Sequence, residues 1–130
     1  MNAMTIRSDF QPQVDEFIGE LKEFATGAYL QDGETEFWEA PFDAAALPEL
    51  KAILERTLDA LEMLPDDPPG EALAKVVTGS LTQLRDFNER HQDAVLEDEE
   101  MSEVRTLLLD AAAATGAEDE ALTELPDIEL

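Results

Sequence analysis

Hydrophobic residues recur every three or four positions along most of the chain, which is the spacing of one face of an α-helix. Four such stripes are separated by residues that favour turns. The stripes are Phe10, Val14, Phe17, Ile18, Leu21, Phe24 and Ala28; Leu47, Leu50, Ile53, Leu54, Leu58, Leu61 and Leu64; Leu73, Val76, Val77, Ser80, Leu81, Leu84, Phe87 and His91; and Met101, Val104, Leu108, Ala111 and Thr115. Because short connections favour antiparallel neighbours, the pattern predicts an all-α fold, a four-helix-type bundle.

Caps and turn residues set the expected boundaries of these helices. Ser8 or Asp9 is a suitable N-cap for the first helix, and Pro12 then falls in its opening turn. The proline-rich run 65–70 ends the second helix. Gly116 follows the last stripe and is expected to end the fourth helix.

These boundaries divide the chain into three parts. Residues 1–8 are expected to be a disordered N-terminus or the remnant of an expression tag, and residues 9–116 a helical domain. Residues 117–130 alternate acidic residues with Leu and Ile. They are expected to form an acidic tail or a short terminal helix that Pro126 ends.

One segment, at about 31–46, breaks the helical pattern. It contains the aromatic residues Phe37, Trp38 and Phe42. Pro41 biases the residue before it towards extended backbone. We therefore expect an irregular aromatic loop here, as a short strand or an ordered connection.

The stretch 81–115 contains neither Gly nor Pro and allows two interpretations. A break near Asp93–Asp98 gives separate third and fourth helices and is the favoured prediction, because 92–100 has few apolar residues. The alternative is one long helix over 70–115. Such a helix needs a second copy of the chain to cover it, which would make the protein a homodimer.

The charge restricts the partners of the protein more than its fold. The chain carries 32 Asp and Glu against eight Lys and Arg, a net charge of −24. DNA, RNA and anionic membranes need a basic surface, so none of them is an expected direct partner. A basic protein is the expected partner, captured faster at low salt. Acidity for solubility alone, or for growth at high salt, is the competing interpretation.

The sequence offers little catalytic chemistry. It has no Cys, and it lacks both an apolar signal segment and a membrane-spanning run, so the cytoplasm is the expected location. His91 is the only His, and Asn88 occupies the position where a di-iron bundle motif needs Glu. No metal, cofactor or catalytic residue is predicted, and an enzyme is the less favoured hypothesis.

Three groups of residues are candidates for contact with a partner. Phe37, Trp38 and Phe42 can anchor an interface. Leu122, Leu125 and Ile128 can dock as a short amphipathic element. Glu97, Asp98, Glu99 and Glu100 form an acidic patch where the fourth helix is expected to begin.

The leading hypothesis is a non-catalytic, acidic helical protein that binds a basic partner protein, in a chaperone-, inhibitor- or immunity-like role. One alternative is a nucleic-acid mimic whose carboxylates occupy a DNA-binding protein. Rows of acids on the polar faces of helices 1 and 4 would supply that surface. The other alternative is a carboxylate-dependent enzyme with a pocket near the aromatic loop.

Overall fold

The computed structural model describes residues 6–27, 30 and 39–129 of the chain. These residues contain helices and no strand, so the all-α prediction is confirmed. The helices are α1 (Ile6–Thr26), a 3-10 turn (Ala44–Ala46), α2 (Leu47–Glu62), α3 (Gly70–Arg90), α4 (Asp98–Ala113) and the short α5 (Asp119–Leu122).

Helix α2 provides the centre of the core. It packs against α1 and α3 and also touches α4. The predicted stripe is confirmed, because Leu50, Leu54, Leu58 and Leu61 have no exposed surface. The stripes of the other long helices meet it, so one continuous apolar core joins all four.

Helix α1 begins earlier than the sequence predicts. Its first residue is Ile6, so residues 6–8 of the predicted N-terminal segment 1–8 are helical and Pro12 lies inside the helix. An internal proline destabilises a helix because it cannot donate to the carbonyl four residues before it. The side chain of Arg7 joins this early turn to α2, because it binds Asp59 at 2.7 Å and Glu55 at 3.3 Å.

The break between the third and fourth helices is confirmed. Helix α3 ends at Arg90 and α4 begins at Asp98. The buried side chain of Asn88 holds the connection, because its Nδ2 donates to the Leu96 carbonyl at 3.1 Å and its Oδ1 accepts from the Leu96 N–H at 2.9 Å. The single helix over 70–115, on which the homodimer prediction depended, is therefore not formed.

The C-terminal segment folds back on the helices. Helix α5 is shorter than the predicted one and packs against both α3 and α4. Ile128 is only 4% exposed. The guanidinium of Arg105 donates to the Ile128 carbonyl at 3.3 and 3.4 Å. The segment therefore fills the space between α3 and α4.

Candidate functional site

The basic residues of the chain are used mainly to join helices. All eight Lys and Arg lie in the described part of the chain. The ion pairs found there are Arg7 with Glu55 and Asp59, Lys51 with Asp15, and Arg90 with Glu49 and Asp86. Four of these five pairs join α2 to α1 or α3, the Arg90–Asp86 pair lies within α3, and no described residue of α4 takes part.

A groove between α1 and α4 is bordered by acidic side chains that form none of these ion pairs. Its volume is about 270 Å³. Apolar and polar side chains alternate around it: Gln13, Glu16, Phe17 and Glu20 on α1, and Ser102, Glu103, Val104, Thr106 and Leu107 on α4. We call this the α1–α4 groove.

Three exposed carboxylates face one another across the α1–α4 groove. Partial burial raises the pKa of Glu103, and the negative charges of Glu20, Glu100 and Glu16 raise it further. No Lys or Arg, all of which are described, forms an ion pair with Glu16, Glu20 or Glu103. The groove is therefore a place where like charges are held together without compensation.

Helix geometry explains why the nearest cations leave these carboxylates unpaired. Lys22 follows Glu20 by two residues, and Arg105 follows Glu103 by two residues. Two residues turn an α-helix by about 200°. Each cation is thus carried to the opposite side of its helix, and Arg105 there binds the C-terminal segment.

A second cleft continues the groove towards the start of α4. Its volume is about 240 Å³, and its lining residues are Leu21, Phe24, Pro41, Phe42, Ala94, Val95, Glu97, Glu99 and Glu100. We call it the end cleft. It brings the half-buried Phe42 next to three of the four residues of the predicted acidic patch. The C-terminal part of α1 lies beside the beginning of α4 here, so the two helices run antiparallel.

Part of the acidic patch has a local structural role. Asp98, Glu99 and Glu100 occupy the first turn of α4, where the positive end of the helix dipole favours acidic side chains. The carboxylate of Glu100 also accepts the Glu97 N–H at 3.1 Å, as in a capping box. Helix formation alone therefore accounts for some of this acidity, whereas it does not account for Glu16, Glu20 and Glu103.

The other predicted contact residues lie elsewhere. Phe37 and Trp38 are outside the described residues. Leu122 and Leu125 are half-buried and Ile128 is buried, all beside Arg105 on the far side of α4. A partner can reach Ile128 only by displacing the C-terminal segment.

The sequence alone does not distinguish Glu16, Glu20 and Glu103 from the other acidic residues of α1 and α4. The sequence does predict that they lie on the polar faces of these helices, within the rows of acids expected there. The sequence does not show that these two faces adjoin, and only their proximity distinguishes the three carboxylates from the other acids.

The described residues also line two larger open clefts, of about 610 and 500 Å³, beside the start of α4. None of the described His, Asp and Glu side chains form a group that could hold a metal ion. The ring of His91 packs against Phe87 with centroids 4.7 Å apart, which is a structural contact. The α1–α4 groove is smaller than the roughly 300–1,000 Å³ of ligand pockets.

Comparison with known proteins gives no family from which a function could be inferred. The chain matches no family model, no curated protein and no solved structure. Among the described residues, none of the helices is both long enough and apolar enough to cross a membrane.

Proposed function

We propose that this chain is a non-catalytic acidic helical protein that binds a basic partner protein through α1 and α4. In this proposal the four long helices form a bundle-type domain. One observation carries it: Glu16, Glu20 and Glu103 are crowded in one groove, while every ion-paired cation lies at another surface.

The energetics support a partner that brings positive charge. Like charges held close together oppose folding, and a Lys or Arg from a partner removes that repulsion when it binds. Each exposed pair contributes only about 0.2–1 kcal/mol, so several pairs are needed for a stable complex. The net charge of −24 also speeds the encounter with a basic protein, and salt weakens this effect.

The test compares two variants with the same change in net charge. The first is Glu16→Gln, Glu20→Gln, Glu103→Gln, called the groove variant. The second is Glu89→Gln, Glu118→Gln, Glu129→Gln, called the control variant, which alters exposed carboxylates outside the α1–α4 groove. Both are used with the natural protein to capture proteins from source lysate at low and moderate salt, after circular dichroism confirms their folding.

We expect the natural chain and the control variant to retain a basic protein from the lysate. The groove variant should not retain it. Added salt should release it. If the two variants lose the same basic proteins equally, overall charge explains the binding and the groove has no special role. If the natural chain retains no basic protein even at low salt, the proposed function is wrong.

A nucleic-acid mimic is the second candidate, favoured by carboxylates on two antiparallel helices. It predicts that the captured protein is a nucleic-acid-binding protein. Double-stranded DNA added to the capture should then compete with the chain for it. If DNA does not displace the captured protein, the nucleic-acid-mimic hypothesis is wrong and binding to a basic partner protein remains.

A further inference from the structure

Helix α4 has two flanks, and the described residues fill only one of them. On the α3 side, α5 packs against both helices, with Leu122 and Leu125 half-buried and Ile128 buried. On the α1 side lies the α1–α4 groove. The filled flank is occupied by a short segment of the chain whose aliphatic side chains point inward.

The open flank differs from the filled one in its charge. Phe17, Val104 and Leu107 form its apolar floor, and each is less than a tenth exposed. The carboxylates of Glu16 and Glu20 border one side and that of Glu103 the other. A segment that fits must be apolar towards the floor and basic along both edges.

The length of this surface corresponds to a short helix. From Gln13 at one end of the groove to Phe24 in the end cleft, α1 advances by about 16 Å. That is about three turns of a helix. Glu16 and Glu20 are one turn apart, which matches Lys or Arg residues spaced by four on a helix lying alongside.

We infer that the α1–α4 groove binds a basic amphipathic helix of the partner protein, about three turns long. Its aliphatic stripe packs on Phe17, Val104 and Leu107, and its Lys or Arg residues pair with Glu16, Glu20 and Glu103. This inference rests on the proposed function and specifies the chemistry of the partner.

A helix fits this surface better than an extended peptide does. The backbone groups of α1 and α4 are paired within their own helices, so they offer no edge for a strand. An extended peptide would leave its N–H and C=O groups without partners against the apolar floor, which is costly. A helix satisfies these groups internally and packs its side chains between those of α1 and α4.

The test uses two synthetic peptides of about 18 residues, long enough for appreciable helicity. Both contain the same Leu, Ala and Lys residues. In the amphipathic peptide, Leu forms one stripe with Lys at both edges, and in the scrambled peptide the same residues form no stripe. Binding to the full chain, the groove variant and the control variant is measured by fluorescence anisotropy at low and moderate salt.

The inference predicts that the amphipathic peptide binds at least tenfold more tightly than the scrambled one and gains helicity on binding. The groove variant should weaken it about tenfold, and the control variant much less. NMR shifts on binding should centre on Gln13, Phe17 and Val104.

The outcomes separate this inference from the proposed function. If both peptides bind equally and both variants weaken them equally, the helix-docking inference is overturned, while a charge-driven basic partner stands. If the amphipathic peptide binds but the shifts centre on the C-terminal segment, the groove is the wrong surface and the inference fails. If neither peptide binds at low salt, the helix-docking inference fails, and the capture experiment alone decides the proposed function.

Discussion

Replacing Asn88 by Ala tests whether one buried side chain holds the connection that places the start of α4. Asn88 is 4% exposed, and so is Leu96, whose backbone it pairs with. The substitution leaves the Leu96 N–H and C=O without their partners. Each buried polar group left unpaired costs about 1–3 kcal/mol, so we expect a loss of about 2–5 kcal/mol. This is a large part of the roughly 5–15 kcal/mol that stabilises a typical domain.

Urea denaturation followed by circular dichroism measures this loss. The midpoint should fall by about 1 M or more with an unchanged slope, because the surface exposed on unfolding stays the same. Gln83→Ala is the control on the same helix. Gln83 is exposed and accepts one hydrogen bond from Arg56 at 3.0 Å, so its loss should cost less than about 0.5 kcal/mol.

The Asn88→Asp variant adds a test with a defined dependence on pH. The introduced carboxylate can still accept from the Leu96 N–H, but it faces the Leu96 carbonyl without a proton to donate. Protonation restores that donor, so the folded-state pKa of the introduced group should lie above its unfolded value. The penalty relative to the natural chain should then be smallest below the unfolded pKa and grow as the pH rises through the folded one. A cost below about 1 kcal/mol for Asn88→Ala, with no pH effect in Asn88→Asp, would refute the role of Asn88.

Three further substitutions have expected outcomes. Pro12→Ala should raise the free energy of unfolding, by up to about 3 kcal/mol, because it restores a backbone donor inside α1; an unchanged urea midpoint would contradict an internal proline. Ile128→Ala should lower the free energy of unfolding by about 2 kcal/mol or more. Leu109→Ala is the control, because Leu109 is 41% exposed and its loss should lower the free energy of unfolding less. Equal effects would mean that the C-terminal segment is not packed. Burial and neighbouring carboxylates raise the folded pKa of Glu103, so the natural chain loses stability as the pH rises from the unfolded pKa through the folded one; Glu103→Gln removes this loss, and thermal unfolding should show the variant more stable only at the higher pH.

Hydrophobic periodicity predicts the long helices of this chain well, because it reports directly which side chains become buried. The four stripes of the sequence supply most of the observed core, although Val95, Leu96 and Leu107 are buried outside them. The start of α1 is the main difference, since Pro12 and the cap residues indicate a later beginning. Ion pairs from Arg7 to Asp59 and Glu55 stabilise the earlier turn, and contacts between residues so distant in sequence leave no local signal.

The candidate site is less predictable for a related reason. The sequence shows that α1 and α4 have acidic faces, but it does not show which helices are neighbours. Phe42 and the acidic patch were predicted as separate features, and the end cleft joins them because α1 and α4 run antiparallel. Glu20 and Glu103 lie close together for the same reason, because α1 and α4 are antiparallel neighbours.

We propose that the acidity of the α1–α4 groove serves a partner as well as solubility. A surface selected for solubility alone gains nothing from bringing Glu20 and Glu103 close together, because their repulsion opposes folding. Neutralising Glu103 should therefore stabilise the chain while weakening its binding to a basic helix. Opposite effects on stability and binding are typical of functional surfaces, where a residue is kept for a role that costs stability. A substitution that improved both, or that changed stability alone, would instead indicate that the crowding of carboxylates in the α1–α4 groove serves no partner.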